Sequence, residues 1–309
     1  MKFQPDFKNA DKAYRDIIWQ VIQEGEIRET RSGTVKTVFA PQEFRYSMRD
    51  GTQPLLTGKK IFTQQMIGEL LWFISGGHSL SQLMMHTWGW NGITAERKTI
   101  WTPDQQRWLK TLSPDIVGRL AYLDDCGRIY GRQWRNSAGK YGCEVDQLEK
   151  LLRTLQSDPD SRYHLVNSWN AAEIDANMMA LPPCHVMFQC FVSNDNELSL
   201  KWYQRSVDCF LGLPFNIASY GLLLSFLCKL TGYTEGDLIG TFGDTHIYHN
   251  HISAVHEYLN ADTFPAPTLI LPELTSIEQL SKMTALDFKD CYQNYQSSEA
   301  IKAPLSVGA

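Results

Sequence analysis

The sequence predicts an α+β fold: one domain with a mixed or antiparallel β-sheet packed by helices. Three observations carry that expectation. Apolar residues recur at helical spacing in a few separate stretches. Alternating, β-branched and aromatic runs cluster at 30–48 and 162–208 instead of trading places with helices one for one. No proline-rich or Gly/Ser-rich linker cuts the 309 residues, so a single domain over 1–309 is expected, with an enlarged irregular region at about 78–128.

Residues 8–24 read as the opening helix, with Tyr14, Ile17, Ile18, Val21 and Ile22 on one face. "TRSGTVKTVFAPQEFRYSM" sets a Gly-containing turn ahead of strand-forming residues. "FTQQMIGELLWFISG" is a second helix, with Thr63 as its cap and Gly76–Gly77 as its stop. Residues 80–128 are rich in Trp and polar side chains and read as helices and loops. "VDQLEKLLRTLQ" is an amphipathic helix ending at "SDPDS". "RYHLVNSW", "HVMFQCFVS" and "ELSLKWYQRSVD" follow as strands, the last two joined by the turn "NDNE". "NIASYGLLLSFLCKLTG" is an apolar helix with a Gly stop, expected to be buried on most sides.

Apolar residues make up 43% and charged residues 20%, a globular composition that excludes disorder. The formal charge of −5 gives no reason to expect a nucleic acid as main partner. The N-terminus lacks the uninterrupted apolar stretch of a signal peptide. No apolar run reaches the ~18 residues of a membrane span, "YGLLLSFLCKL" included. The seven cysteines are odd in number, irregularly spaced and never in a Cys-x-x-Cys pair. They fit reduced thiols in the cytoplasm, with no disulfide framework and no zinc site.

Several residues carry chemistry that these averages hide. Two prolines ahead of Cys184 keep it out of a helix interior, a sensible support for a nucleophile. Cys190, Cys209 and Cys228 sit in apolar runs and read as core, the common fate of a free thiol. Arg205, Ser206 and Asp208 end a strand, where a guanidinium suits a phosphate or a thiolate as well as a surface ion pair. Asn216 stands where a Pro-containing turn enters a helix, either as a cap or as an amide offered to a base edge. Glu69 lies in an apolar helix, and burial would raise its pKa toward acid–base use. "GDTHIYHNH" is read as extended, with His249 and His251 on one face and His246 on the other, so metal ligation is not expected.

Taken together, "ELLWF", "IYGRQWR", "DPDSR", "SWN", "ALPPCH", "WYQRSVD", "FLGLPFNIASY", "GDTHIYHNH" and "IKAPL" resemble the thymidylate synthase family, in order and over nearly the whole chain. The resemblance implies reductive methylation of dUMP to dTMP, with 5,10-methylenetetrahydrofolate as carbon and hydride donor and no metal. It implies a Cys184 thiolate adding to uracil C6, with Arg205 holding the phosphate and stabilising the thiolate. Arg31, Arg162 and Ser206 would join the phosphate grip. Arg162 would come from the neighbouring subunit of a homodimer packed through its sheet face. Asn216 would read the uracil edge, and His246 and Tyr248 would hold the deoxyribose 3′-hydroxyl. Glu69 would shuttle protons and Tyr130 would assist removal of the C5 proton, with His185 and Asn170 completing the polar network. Trp101, Asp208 and Gly212 would line the folate, Lys59 would lie near its glutamate tail, and the C-terminal segment, Ala309 included, would close the site.

The chain departs from the family pattern in three places. Tyr163 stands where a second arginine is usual, which implies weaker phosphate binding. "TPDQQRW" replaces the usual "DEW" after Trp101, with Trp108 a candidate second tryptophan at the folate wall, and the tail runs on to Ala309. These changes leave room for a relative in which water captures the exocyclic methylene intermediate, giving 5-hydroxymethyl-dUMP.

Overall fold

Asn9 opens the first helix, Ala10–Glu24, its side chain accepting the Lys12 amide at 2.8 Å. The computed structural model describes residues 7–94, 96–118, 120, 124–139 and 142–305. The fold is α+β with a mixed sheet, as expected. Its described residues gather into two compact units. A sheet unit takes the chain up to Phe62, Phe188–Leu271 and the residues from Asp290 on; a helical unit takes Thr63–Met187 and Pro272–Lys289. The chain passes between them four times, once inside the strand His185–Val192, so no linker composition marks a boundary.

The sheet unit is built around the fifteen-residue strand Thr234–Tyr248. On one side it runs parallel to Glu197–Asp208, in a register that pairs Ser206 with Asp244 and Asp208 with His246. On the other side Gly33–Phe39 and Phe44–Ser47 pair with it antiparallel, one after the other. The helix Leu213–Thr231 connects the parallel pair and begins three residues ahead of the expected "NIASYGLLLSFLCKLTG". By length and composition it is apolar enough to cross a membrane, but most of that surface is spent inside the fold. Its Tyr220 ring stacks on Trp202 at 4.8 Å. Each large apolar side chain buried in this way contributes about 1.5–3 kcal/mol.

In the helical unit Thr63–Ile74 packs on Leu80–Trp88 and on Tyr130–Arg135. Gly68 permits the first crossing: a Cβ there would lie 2.3 Å from the Thr87 hydroxyl. Thr63 is the first helical residue and Gly76 takes a φ of +77° just beyond the end, the conformation a stop demands. The irregular stretch resolves into short helices, Leu80–Trp88, Thr102–Leu109 and Pro114–Val117 among them. Leu165–Asn167 lies beside the start of the strand His185–Val192, with the Ser168 amide donating to the Val186 carbonyl at 2.8 Å.

Candidate functional site

Cys184 lies at the end of the Pro182–Pro183 turn, one residue before a strand, half-buried. Its amide and that of His185 both donate to the Tyr130 hydroxyl, at 2.7 and 3.2 Å. Tyr130 opens a helix, and its ring is 4.7 Å from Phe73, 6.0 Å from Trp101 and 5.2 Å from His185. The Trp101 indole N–H in turn donates to Glu69 at 2.6 Å. Burial pushes the Glu69 carboxyl up from its ordinary value, and the Trp101 hydrogen bond opposes part of that rise. Helix, aromatic ring and thiol loop thus form one connected cluster within the helical unit. Tyr130→Phe would leave two amides without this acceptor, at a cost of about 1–3 kcal/mol. The expected result is a lower denaturation midpoint and faster alkylation of Cys184 by iodoacetamide; unchanged alkylation would count against the clamp.

Elimination also singles out this thiol. Burial raises the pKa of Cys126, Cys190, Cys209, Cys228 and Cys291, that of Cys190 to about 12 and that of Cys291 to about 11. A thiol held that high is not a thiolate at neutral pH. Of the other two, Cys143 is exposed on a short loop and Cys184 has the Tyr130 clamp.

The sheet unit holds a second constellation, produced by the parallel register. Side chains two apart on a strand share a face, so Ser206 and Asp208 stand with Asp244, His246 and Tyr248. The His246 and Tyr248 rings meet edge-on at 5.1 Å. His246 Nδ1 lies 3.0 Å from Asp244, whose pKa this bond lowers, and the Thr37 hydroxyl reaches the same carboxylate at 2.8 Å. Asp208 accepts the amides of Phe210 (2.9 Å) and Leu211 (3.2 Å), fixing the turn into the helix. Gly212 suits that turn, since a Cβ would come 3.0 Å from the Asp208 carbonyl, a tight approach. Asn216 is on the first turn of that helix, where its carbonyl accepts from Gln204 at 3.0 Å. Buried Gln204 also donates to the Ser206 carbonyl, so it fixes the amide's orientation. Sequence reasoning missed Gln204, Asp244 and Thr37 as site residues: Gln204 and Asp244 stand inside "WYQRSVD" and "GDTHIYHNH" with no role of their own, and Thr37 is brought beside His246 only by strand register.

The remaining candidates are placed differently. Arg205 is half-buried on its strand; Arg31 and Arg162 are exposed on turns, and Tyr163 beside Arg162 is 87% exposed. Lys59 is buried, its ammonium donating to the Phe210 carbonyl at 2.5 Å and lying 3.8 Å above that ring. Burial lowers its pKa to about 8. Asn170 caps the helix Ala171–Asp175 through the Glu173 amide. Trp108 is buried, with its N–H on the Asn177 carbonyl. Ala309 lies outside the described residues. "HNH" is a 3-10 turn, not an extension of the strand, so His249 is exposed while His251 is fully buried; the two do not share a face. No metal-binding group occurs among the described residues.

The thymidylate synthase family model matches residues 12–307. The chain is 42% identical to the probable thymidylate synthase of Escherichia phage T5 over 293 residues, 95% of this chain and 99% of that protein. It is 35% identical to the thymidylate synthase of Saccharomyces cerevisiae over 98% of this chain and 99% of that one. A thiol loop clamped by a buried tyrosine, a carboxylate in an aromatic helix and a His–Tyr pair on alternate strand positions therefore have a common explanation: the chain belongs to the thymidylate synthase family.

Proposed function

We propose that the chain converts dUMP to dTMP, with 5,10-methylenetetrahydrofolate as one-carbon and hydride donor. The observation that carries this reading is the half-buried Cys184 on a loop clamped by Tyr130. Uracil C5 is a poor nucleophile until something adds at C6. The Cys184 thiolate adds there, the ring electrons move onto O4, and C5 becomes nucleophilic. Arg205 holds the phosphate and favours the thiolate, with Arg31 and Ser206 as further phosphate donors; charge-assisted contacts of this kind are worth on the order of 1.5–3 kcal/mol each. Asn216, oriented by Gln204, donates to O4 and accepts from N3–H, the uracil pattern. His246 and Tyr248 take the sugar hydroxyl, while Glu69 and Tyr130 move protons to O4 and from C5.

The folate, when bound, supplies the methylene carbon and a hydride. The residues fit such a molecule: Trp101 belongs to an aromatic cluster, and Asp208, on the strand face with His246, offers a carboxylate to the N–H groups of a pterin. A homodimer, with Arg162 reaching the neighbouring site, is supported by the outward face of the strand His185–Val192, where Met187 and Phe191 are 37% and 66% exposed. Seven free thiols suit a reducing cytoplasm.

One incubation tests the reading. With dUMP and methylenetetrahydrofolate, the expected products are dihydrofolate, seen by absorbance, and dTMP, identified by mass. Hydroxymethyl-dUMP without dihydrofolate would replace the synthase with a hydroxymethylase. Tyr163→Arg adds the missing phosphate donor and is expected to lower the dUMP dissociation constant about 10-fold at low salt. An unchanged constant would remove Tyr163 from the phosphate site.

A further inference from the structure

His251 is fully buried, yet only one of its ring nitrogens is partnered. Nε2 lies 2.8 Å from the Pro304 carbonyl, which can only accept, so Nε2 carries the proton. Nδ1 has no hydrogen-bond partner and lies 3.8 Å from Asp208 Oδ1. That same oxygen already accepts the Phe210 and Leu211 amides, and Lys59 pins the Phe210 carbonyl on the other side of the turn. One edge of the imidazole therefore faces a turn fixed from two sides, and the other holds the segment Ile301–Leu305.

Residues 301–305 have no helix or strand, and a loop without regular structure is registered by whatever side chains grip it. A buried imidazole with one unpartnered nitrogen is an expensive choice for simple packing. Phenylalanine would fill the same space beside Phe210 and Tyr248, whose rings lie 5.9 and 5.3 Å away.

We propose that His251 is a positioning residue: its Nε2–H clasps the Pro304 carbonyl and registers the segment 301–305 against the Asp208 turn. The kinetic consequence deepens the folate reading above and rests on it, because Asp208 is the carboxylate assigned there to the pterin. Loss of the clasp would release the segment and weaken the folate step while leaving the nucleotide in place.

Two variants separate the clasp from packing. His251→Phe keeps the ring and removes the donor; His251→Gln returns an amide donor near the Nε2 position. In the protein without substrate, trypsin cleavage after Lys302 is expected to release peptide 303–309 about 10-fold faster in His251→Phe, a severed buried hydrogen bond being worth on that order. In His251→Gln the rate should return to within about 2-fold of the parent. With substrates, His251→Phe should raise the folate KM and lower kcat, each by roughly 10-fold, with the dUMP dissociation constant within about 2-fold. Equal cleavage rates in parent and His251→Phe, or equal loss of dUMP and folate binding, would overturn the proposal. Should His251→Phe fail to fold, ring ¹⁵N NMR decides: the parent should show an Nε2–H that exchanges slowly, and a chain ending at Lys302 should lose it. An unchanged ring signal would overturn the clasp. The proteolysis and NMR need no turnover, so a chain that made no dTMP would sink the synthase reading and leave the clasp to be judged separately.

Discussion

Cys184→Ala is expected to abolish dTMP formation, by on the order of 10⁴-fold or more, while the fold and dUMP binding survive. The size of the effect follows from the chemistry. Without addition at C6 there is no enolate, so C5 cannot capture a one-carbon unit, and no neighbouring group replaces a covalent bond. The choice of thiol follows from burial, which holds five of the seven cysteines in the protonated state. Cys143→Ala is the control and should keep its rate within about 2-fold, because an exposed loop residue away from such clusters is usually neutral. Release of tritium from dUMP labelled at C5 reads the step that depends on the adduct. A Cys184→Ala protein retaining a tenth of the parent rate would end the mechanism, whatever the family.

The sequence made much of this legible because the informative signals are local. The helices Ala10–Glu24 and Gln147–Ser157 bury one periodic stripe each, and the strand Glu197–Asp208 alternates as half-buried strands do. The motif residues Cys184, Tyr130, Glu69 and Trp101 were named from the chain and are joined by contacts in one unit. The strand Thr234–Tyr248 was legible only at its end, where "GDTHIYHNH" reads as extended. It is a central strand with both faces covered, so it has little polar alternation, and glycine at 236, 240 and 243 argues against a strand. Those glycines have a tertiary cause: a Cβ at Gly240 would meet the Trp202 ring at 2.5 Å, and one at Gly236 the Ser199 hydroxyl at the same distance. Partners of His246 and Asn216 were hidden for a related reason. Thr37 reaches His246 only through register, which pairs residues far apart in the chain, and Gln204 reaches Asn216 only where the helix packs on the strand.

Glu69→Gln separates catalytic design from structural need, because the two make opposite forecasts for stability. The Glu69 carboxyl is raised by burial, against a weaker pull from the Trp101 N–H. A folded-state pKa above the unfolded one means that the contribution to stability is fully present below the unfolded value and is lost as pH rises through the folded value. At neutral and alkaline pH the ionised carboxylate therefore costs stability. Glutamine is neutral at every pH, has nearly the same shape and keeps an oxygen for the Trp101 indole. The variant should match the parent near pH 4 and melt roughly 2 °C higher near pH 8. Its kcat should fall by about 10²- to 10⁴-fold, the usual range for losing a positioned acid–base group, and the acid–base limb assigned to Glu69 should vanish from the pH–rate profile. A residue kept for the Trp101 contact alone would keep its rate, since glutamine preserves that contact. A variant that melted lower at pH 8 and kept its rate would remove Glu69 from the chemistry. Gaining stability while losing turnover is the signature of a charge held where folding alone would not place it.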